Sequence, residues 1–157
     1  MEFLDQNFSW LSDKMMEHAG KYFVIDFPGQ LELFLNSDSL RNIIEKLQNP
    51  ESFGFRITAV ELFDSQYIMD KTKYMSACIY SLMSMINLSL PHISVLLKID
   101  LLDSFSALDF KIDYYLDSND FEPLAKRFEM ENTKFSNKYT KLTKNLCSLL
   151  DNYGTFF

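Results

Sequence analysis

Several residue types are scarce in this chain of 157 residues, and each scarcity excludes a class of protein. Glycine and proline occur four times each, which leaves no room for flexible linkers or low-complexity tracts. The two cysteines, Cys78 and Cys147, lie far apart within helical patterns, which favours core residues in a reducing compartment over a disulfide framework. His18 and His92 have no cysteine or histidine nearby to share a metal, which argues against a zinc site.

Long apolar runs and basic residues are also lacking. No apolar run reaches the length that spans a bilayer, and the first ten residues lack the basic and apolar regions of a signal peptide. We therefore expect no membrane partner. The formal net charge of −7 opposes a basic face, so we also expect no direct contact with nucleic acid. Proteins and small molecules are the partners that this charge fits.

Apolar residues, by contrast, make up 47% of the chain and aromatic residues 15%, enough for a substantial core. This length and composition predict a single domain over residues 1–157.

Short apolar runs alternate with helical spacing along the chain. Helices are predicted over residues 2–18, 31–48 (capped by Ser37 or Asp38) and 70–88. A short helix is predicted to start near Pro123, and a last helix is predicted to end at Gly154. Its apolar face is predicted from Phe135, Tyr139, Leu142, Leu146, Leu149 and Tyr153. Strands are predicted over residues 22–26, 55–63 and 92–100. This alternation predicts an α/β fold of three layers, in which a parallel sheet is covered by helices on both faces.

Each predicted strand ends in or just before an aspartate: Asp26, Asp64 and Asp100. In parallel sheets the carboxyl ends of the strands share one edge, and ligands bind beyond that edge. Aspartate also follows strands as a turn former or helix cap, which is the alternative explanation. Because two of the three belong to richer motifs, the sequence favours a binding site at this edge.

The first motif is Asp26-Phe27-Pro28-Gly29-Gln30. A carboxylate at a strand end can hold Mg²⁺ directly or through its waters, and proline stiffens the turn. Gly29 lacks a side chain, so its N–H can approach a terminal phosphate closely, and Gln30 could orient an attacking water. The pattern D-x-P-G-Q after an apolar strand is typical of P-loop GTPases; a fortuitous turn is the alternative.

The second motif is Leu97-Lys98-Ile99-Asp100. A carboxylate here can accept two hydrogen bonds from one edge of guanine, whereas adenine presents a different pattern of donors and acceptors. The aliphatic stem of the lysine can lie along the plane of the base. GTPases carry asparagine or threonine before this lysine, and Leu97 departs from that pattern.

Together these stretches resemble the GPN-loop GTPases. The resemblance rests on "FSWL" near the start, "DFPGQLELF", "AVELFDSQY", "LPHISVLLKIDLL" and "LTKNLCSLLDNYG", in the order of the family, and it is nearest to the third eukaryotic paralogue branch. It implies a P-loop NTPase-like fold that binds and hydrolyses GTP with Mg²⁺. In that mechanism Asp26 holds the metal through water, Pro28 and Gly29 meet the γ-phosphate, Gln30 positions water, and Lys98 and Asp100 bind guanine. Asp64 and Ser65 recur in the family pattern without an assigned role.

The resemblance also implies a biological role. Members form dimers, often between paralogous GPN-loop GTPases, and act in the assembly and nuclear import of RNA polymerase II. Expected partners are therefore a paralogue and RNA polymerase II subunits or assembly factors. The expected location is the cytoplasm, with passage to the nucleus.

Two family motifs do not occur in the sequence: G-x-x-x-x-G-K-[ST] and Gly-Pro-Asn. The resemblance places the Gly-Pro-Asn segment just before Met1, and it makes Phe156 and Phe157 the opening of the last strand. We therefore expect the chain to be the central part of a GTPase domain, truncated at both ends, lacking the P-loop strand and the last strand and poorly stable alone. The alternative is a non-catalytic interaction subunit that holds no nucleotide. G-x-G-x-x-G does not occur, which disfavours a dinucleotide-binding sheet.

Overall fold

The computed structural model describes residues 1–36, 38–104, 108–116, 120–130 and 134–153. Its contacts divide the chain into two compact units. The first comprises Met1–Ile57 with Ile86–Leu90, and the second comprises Thr58–Met85 with Pro91–Phe157.

The described helices that lie wholly in the first unit are α1 (Glu2–Gln6), α2 (Phe8–Met16), α3 (Leu31–Asn36) and α4 (Asp38–Gln48). The single helix predicted over residues 2–18 is interrupted at Asn7, whose φ of −110° and ψ of 38° are not helical. The Asn7 side-chain amide instead donates to the carbonyl of Phe3 at 2.8 Å. The helix predicted over residues 31–48 corresponds to α3 and α4, which lie on either side of residue 37. Ser37, one of its two predicted caps, lies outside the described residues.

The core of the first unit forms on α4. Its apolar side chains Leu40, Ile43, Ile44 and Leu47 are buried, as the helical spacing predicted. Phenylalanines from other segments pack around this core, and the rings of Phe53 and Phe55 stack at 5.1 Å. The strand predicted from residue 55 begins later, at Ala59, where its pairing with His92 starts.

The strand predicted over residues 22–26 is wrong, because residues 22–30 form neither strand nor helix. Tyr22 and Val24 are fully exposed. Phe23 is partly buried, and its ring lies 5.6 Å from that of Phe55. A strand is defined by pairing, and an apolar run supplies the propensity for a strand but not the partner.

The second unit contains the sheet. Strands β1 (Ala59–Asp64) and β2 (His92–Leu97) pair in parallel, with Ala59 opposite His92 and Asp64 opposite Leu97. Helix α5 (Lys71–Leu88) connects them, close to the helix predicted over residues 70–88. The chain is therefore an α/β protein with a parallel sheet and packed helices, as predicted.

Short elements follow the strands. The 3₁₀ helices Ser65–Met69 and Ile99–Ser104 come directly after β1 and shortly after β2. The strand predicted to end at residue 100 stops at Leu97, because Lys98 has a left-handed φ of 60°. Helices α6 (Ile112–Leu116), α7 (Glu122–Met130) and α8 (Lys134–Tyr153) complete the unit, and Pro123 lies in the first turn of α7 as predicted.

The two faces of the sheet differ. Phe63 and Leu96 on one face are buried in a core with Tyr74, Cys78 and Leu150. The opposite face carries Val60, Leu62 and Ile93, which are 58%, 60% and 53% exposed. The sequence predicted cover on both faces, whereas in the described part of the chain this second face is open.

Helix α8 packs through a different face from the predicted one. Cys147 and Leu150 are buried, whereas Leu142, Leu149 and Tyr153 are exposed. Leu146 is partly buried, and Gly154, the predicted end of the helix, lies outside the described residues. None of the described helices combines the length and the hydropathy that crossing a membrane requires.

Candidate functional site

The carboxyl ends of β1 and β2 bring Asp64 and Lys98 together. Because Asp64 lies opposite Leu97 in the parallel register, the next residue of β2's chain falls beside the end of β1. The Lys98 ammonium (Nζ) lies 2.6 Å from Asp64 Oδ2. Asp100 follows in the first turn of the 3₁₀ helix Ile99–Ser104 and is exposed. Two of the three strand-end aspartates predicted from sequence thus lie at one edge of one sheet.

Hydrogen bonds shift the pKa values of this ion pair. The bond from Lys98 lowers the pKa of the Asp64 carboxyl, and the backbone N–H of Gln66 lowers it further. The Gln66 N–H donates to Asp64 Oδ1 at 3.0 Å, so the carboxylate also caps the 3₁₀ helix Ser65–Met69. The same pairing raises the pKa of the Lys98 ammonium.

The ion pair is expected to be lost at both extremes of pH. For Asp64 the folded pKa lies below the ordinary value of 3.8, so its contribution is present above 3.8 and lost as pH falls through the lowered value. For Lys98 the contribution is complete below 10.5 and lost as pH rises through the raised value. An NMR titration of the Asp64 carboxyl should therefore give a midpoint below 3.8 in the native chain, and one nearer 3.8 in Lys98→Ala.

Asp70 is the internal control for this titration. Its pKa is lowered chiefly by the backbone N–H of Lys73, so its midpoint should be the same in both proteins. An Asp64 midpoint that Lys98→Ala leaves unchanged contradicts the ion pair.

Ser65 contacts the same turn from within the core. It is fully buried, and its hydroxyl donates to the carbonyl of Lys98 at 2.8 Å. The two residues lie 33 positions apart. The only sequence signal for this contact was that Asp64 and Ser65 recur in the family pattern. That signal did not indicate which residue Ser65 contacts.

The Asp26 motif lies in the first unit, on the exposed segment ahead of α3. Asp26, Pro28, Gly29 and Gln30 are all exposed. The carbonyl of Gln30 accepts a hydrogen bond from the N–H of Leu33 at 3.1 Å, which opens α3. The Asp26 and Lys98 motifs therefore belong to different units of the chain.

The fold itself does not require glycine at position 29. A methyl group there would meet nothing within 4 Å, and its backbone is not in the left-handed region. Gly20 and Gly54 differ, because their φ values of 83° and 58° favour glycine on conformational grounds.

The donors around Asp26 fit magnesium better than zinc. No group of three or more histidine, cysteine or acidic side chains is placed to hold a metal among the residues that the structure describes. Magnesium keeps several waters and is commonly held by one or two carboxylates together with substrate phosphates. A single exposed carboxylate such as Asp26 fits that mode of binding.

A groove between α7 and α8 has a volume of about 330 Å³. Its charged walls are already paired: Lys126 lies 2.8 Å from Glu122, and Lys144 lies 2.6 Å from Glu129. Lys98 at the strand edge is paired in the same way, so charge does not distinguish the two places. The Lys98 and Asp100 motif makes the strand edge the candidate for a nucleotide.

Comparison with known proteins agrees with the motifs. The family model described as "Conserved hypothetical ATP binding protein" matches residues 1–157. The chain is 40% identical over 155 residues to the GPN-loop GTPase QQT1 of Arabidopsis thaliana, covering 98% of this chain and 51% of that protein. It is 35% identical over 154 residues to the GPN-loop GTPase 2 of Danio rerio, covering 98% and 48%. The GPN-loop GTPase 2 of Saccharomyces cerevisiae is 36% identical over 141 residues, covering 89% and 40%.

The chain spans about half of the length of these curated relatives. Two of the three carry the number 2 in their names, and none carries the number of the third branch that the motifs suggested. No solved structure matches the chain.

Proposed function

The chain belongs to the GPN-loop GTPase family, and from this premise we propose that the protein binds GTP with Mg²⁺ and hydrolyses it as a molecular switch. The observation that carries the proposal is the turn at Lys98, which the ends of two parallel strands hold at the edge where such sheets bind ligands. The exposed carboxylate of Asp100 follows directly in this turn.

The chemistry of Asp100 favours guanine over adenine, although the matching family model is described as ATP-binding. An ionised carboxylate only accepts hydrogen bonds. Guanine presents two neighbouring donors, its ring N–H and its 2-amino group, whereas adenine presents an acceptor at the corresponding ring nitrogen. Adenine would leave the carboxylate facing that acceptor, which costs binding energy.

For the Asp26 motif, the family resemblance implies a role of its own in binding the phosphates. Asp26 would hold Mg²⁺ through its waters, which neutralises phosphate charge when the metal is bound. Pro28 fixes the backbone before Gly29, whose bare N–H can approach the last phosphate. Gln30 would orient the attacking water by hydrogen bonding.

We propose further that the protein acts with a paralogous GPN-loop GTPase, as a homodimer or heterodimer, in the assembly and nuclear import of RNA polymerase II. Its partners would be the polymerase subunits or their assembly factors, met in the cytoplasm before passage to the nucleus. This part rests on the family resemblance. The apolar side chains of Val60, Leu62 and Ile93 support a protein partner, because exposed apolar patches often mark interaction sites.

The same three side chains favour a second candidate, a non-catalytic interaction subunit. On this alternative the parallel sheet and its helices serve only as a binding surface. Leu97 is consistent with it, because a leucine side chain offers no hydrogen bond to a base-binding turn.

Magnesium-dependent binding of GTP by the endogenous protein tests the two candidates. The protein is captured by antibody, its intact mass is compared with the 18.5 kDa of these residues, and GTP affinity is measured with and without Mg²⁺. The GTPase proposal expects a Kd on the order of micromolar or below with Mg²⁺, and slow release of phosphate. Binding that is absent from a well-folded sample would overturn it and leave the interaction subunit.

Gly29→Ala is the informative variant in the same assay. Because the added methyl group meets open space, its melting temperature should match that of the native protein or exceed it slightly. Its GTP affinity should fall, because the methyl group obstructs the approach of phosphate to the N–H. If Gly29→Ala binds GTP with the native affinity, Gly29 is not part of the proposed site.

A further inference from the structure

Lys98 adopts a backbone conformation that must be held in place. Its φ of 60° is left-handed, a region that residues other than glycine enter at a cost in free energy. Such residues persist where surrounding contacts fix them, and they cluster at functional sites. The question is which side chains fix this turn, since Leu97 immediately before it has no polar group.

Ser65 is the first of two such side chains. Its hydroxyl reaches the Lys98 carbonyl from β1's end, and the same carbonyl accepts the N–H of Leu101 at 3.0 Å. That second bond opens the 3₁₀ helix Ile99–Ser104, whose first turn carries Asp100. The serine therefore fixes the peptide group on which the position of Asp100 depends.

Asp64 is the second side chain that fixes the turn at Lys98. Its carboxylate spans two elements, since Oδ1 accepts from the Gln66 N–H and Oδ2 pairs with the Lys98 ammonium. The lysine side chain is 57% exposed, and ion pairs at such exposure contribute little to stability. The effect of this contact is thus to direct the lysine stem along the strand edge.

We propose that Ser65 and Asp64 are positioning residues for base recognition, which hold Lys98 and Asp100 in the arrangement that distinguishes guanine. This inference rests on the proposed function. Neither side chain needs to touch the nucleotide: Ser65 is fully buried, and its one hydroxyl is directed to the backbone of the turn.

The test compares GTP with inosine triphosphate, which lacks only the 2-amino group of guanine. The ratio of the two affinities measures the second hydrogen bond to Asp100. In Ser65→Ala we expect this ratio to fall by about threefold to tenfold, the effect typical of losing one hydrogen bond. A loss of stability alone would lower the affinities for both nucleotides equally and leave their ratio unchanged. Ser65→Thr, which keeps the hydroxyl, should restore most of the preference.

Ser81→Ala is the matched control. Ser81 is also buried in the second unit, and its hydroxyl bonds to that of Ser94 at 3.1 Å, a contact on the covered face of the sheet. It should preserve the ratio even if it lowers the melting temperature.

Hydrogen exchange provides a reading that needs no nucleotide. The Leu101 amide should exchange faster in Ser65→Ala than in the native protein, and at the native rate in Ser81→Ala. Native protein that prefers GTP, together with a Ser65→Ala variant of unchanged preference, overturns the inference and leaves the proposed function standing. Native protein that binds neither nucleotide overturns both. Unchanged exchange of Leu101 overturns the positioning role directly.

Discussion

Asp100→Asn is expected to weaken GTP binding about 100-fold and to make xanthosine triphosphate the preferred nucleotide. The carboxylate of Asp100 can accept from both donors on the guanine edge, whereas an amide offers one acceptor and one donor. The donor then faces the 2-amino group of guanine, where no acceptor exists. Xanthine carries an oxygen at that position, so the asparagine pairs with it fully. Competition of unlabelled nucleotides against a fluorescent GTP analogue measures both affinities.

Asp109→Asn is the control for this exchange. It makes the same substitution in the same unit, at a carboxylate that pairs with Arg127 at 3.0 Å on the surface. GTP affinity should stay at the native value. A uniform loss of affinity for all nucleotides in Asp100→Asn, without a gain for xanthosine triphosphate, would show that Asp100 does not contact the base.

Tyr74→Ala is expected to lower the free energy of unfolding by about 3–5 kcal/mol. Tyr74 is fully buried, and its ring lies 4.9 Å from that of Tyr115 and 6.2 Å from that of Phe121. Truncating Tyr74 opens a cavity between α5, α6 and Phe121. The rings of Tyr115 and Phe121 can close this cavity only in part. Urea denaturation followed by circular dichroism measures the loss.

Tyr74→Phe separates packing from hydrogen bonding at the same position. The phenol donates to the carbonyl of Tyr115 over 3.4 Å, which is long for such a bond, so removing the hydroxyl should cost only about 0.5–1 kcal/mol. Equal losses in the two variants would contradict a stability contribution from the packed ring.

The elements that the sequence predicted well are those in which local spacing decides the outcome. Helix α5 was predicted within one residue at its start, because an uninterrupted helical pattern ends at a proline. The parallel pairing of β1 and β2 followed from the helix between two apolar runs. The segment from Tyr22 to Asp26 has equal strand propensity but no pairing in the structure, and pairing depends on residues far away in the chain.

The residues of the candidate site also differ in how well the sequence predicts their positions. Asp64 and Lys98 could be placed at one edge from the sequence, because the end of a parallel strand has a known position in a sheet. The hydrogen bond from Ser65 to Lys98 could not be predicted, because a serine hydroxyl can bond to a carbonyl at any separation in sequence. The left-handed turn at Lys98 was also missed, because lysine carries no local signal for positive φ.

The parallel pairing of β1 and β2 also has a consequence for synthesis on the ribosome. Ala59 pairs with His92, so β1 cannot form its ladder until His92, 33 residues further along the chain, has also left the ribosome. At about 5–20 residues per second, that is a wait of about 2–7 s. During this interval Val60, Leu62 and Phe63, once outside the exit tunnel, have no β2 with which to pair. In that interval the nascent chain exposes an unpaired apolar strand, the kind of segment that aggregates most readily.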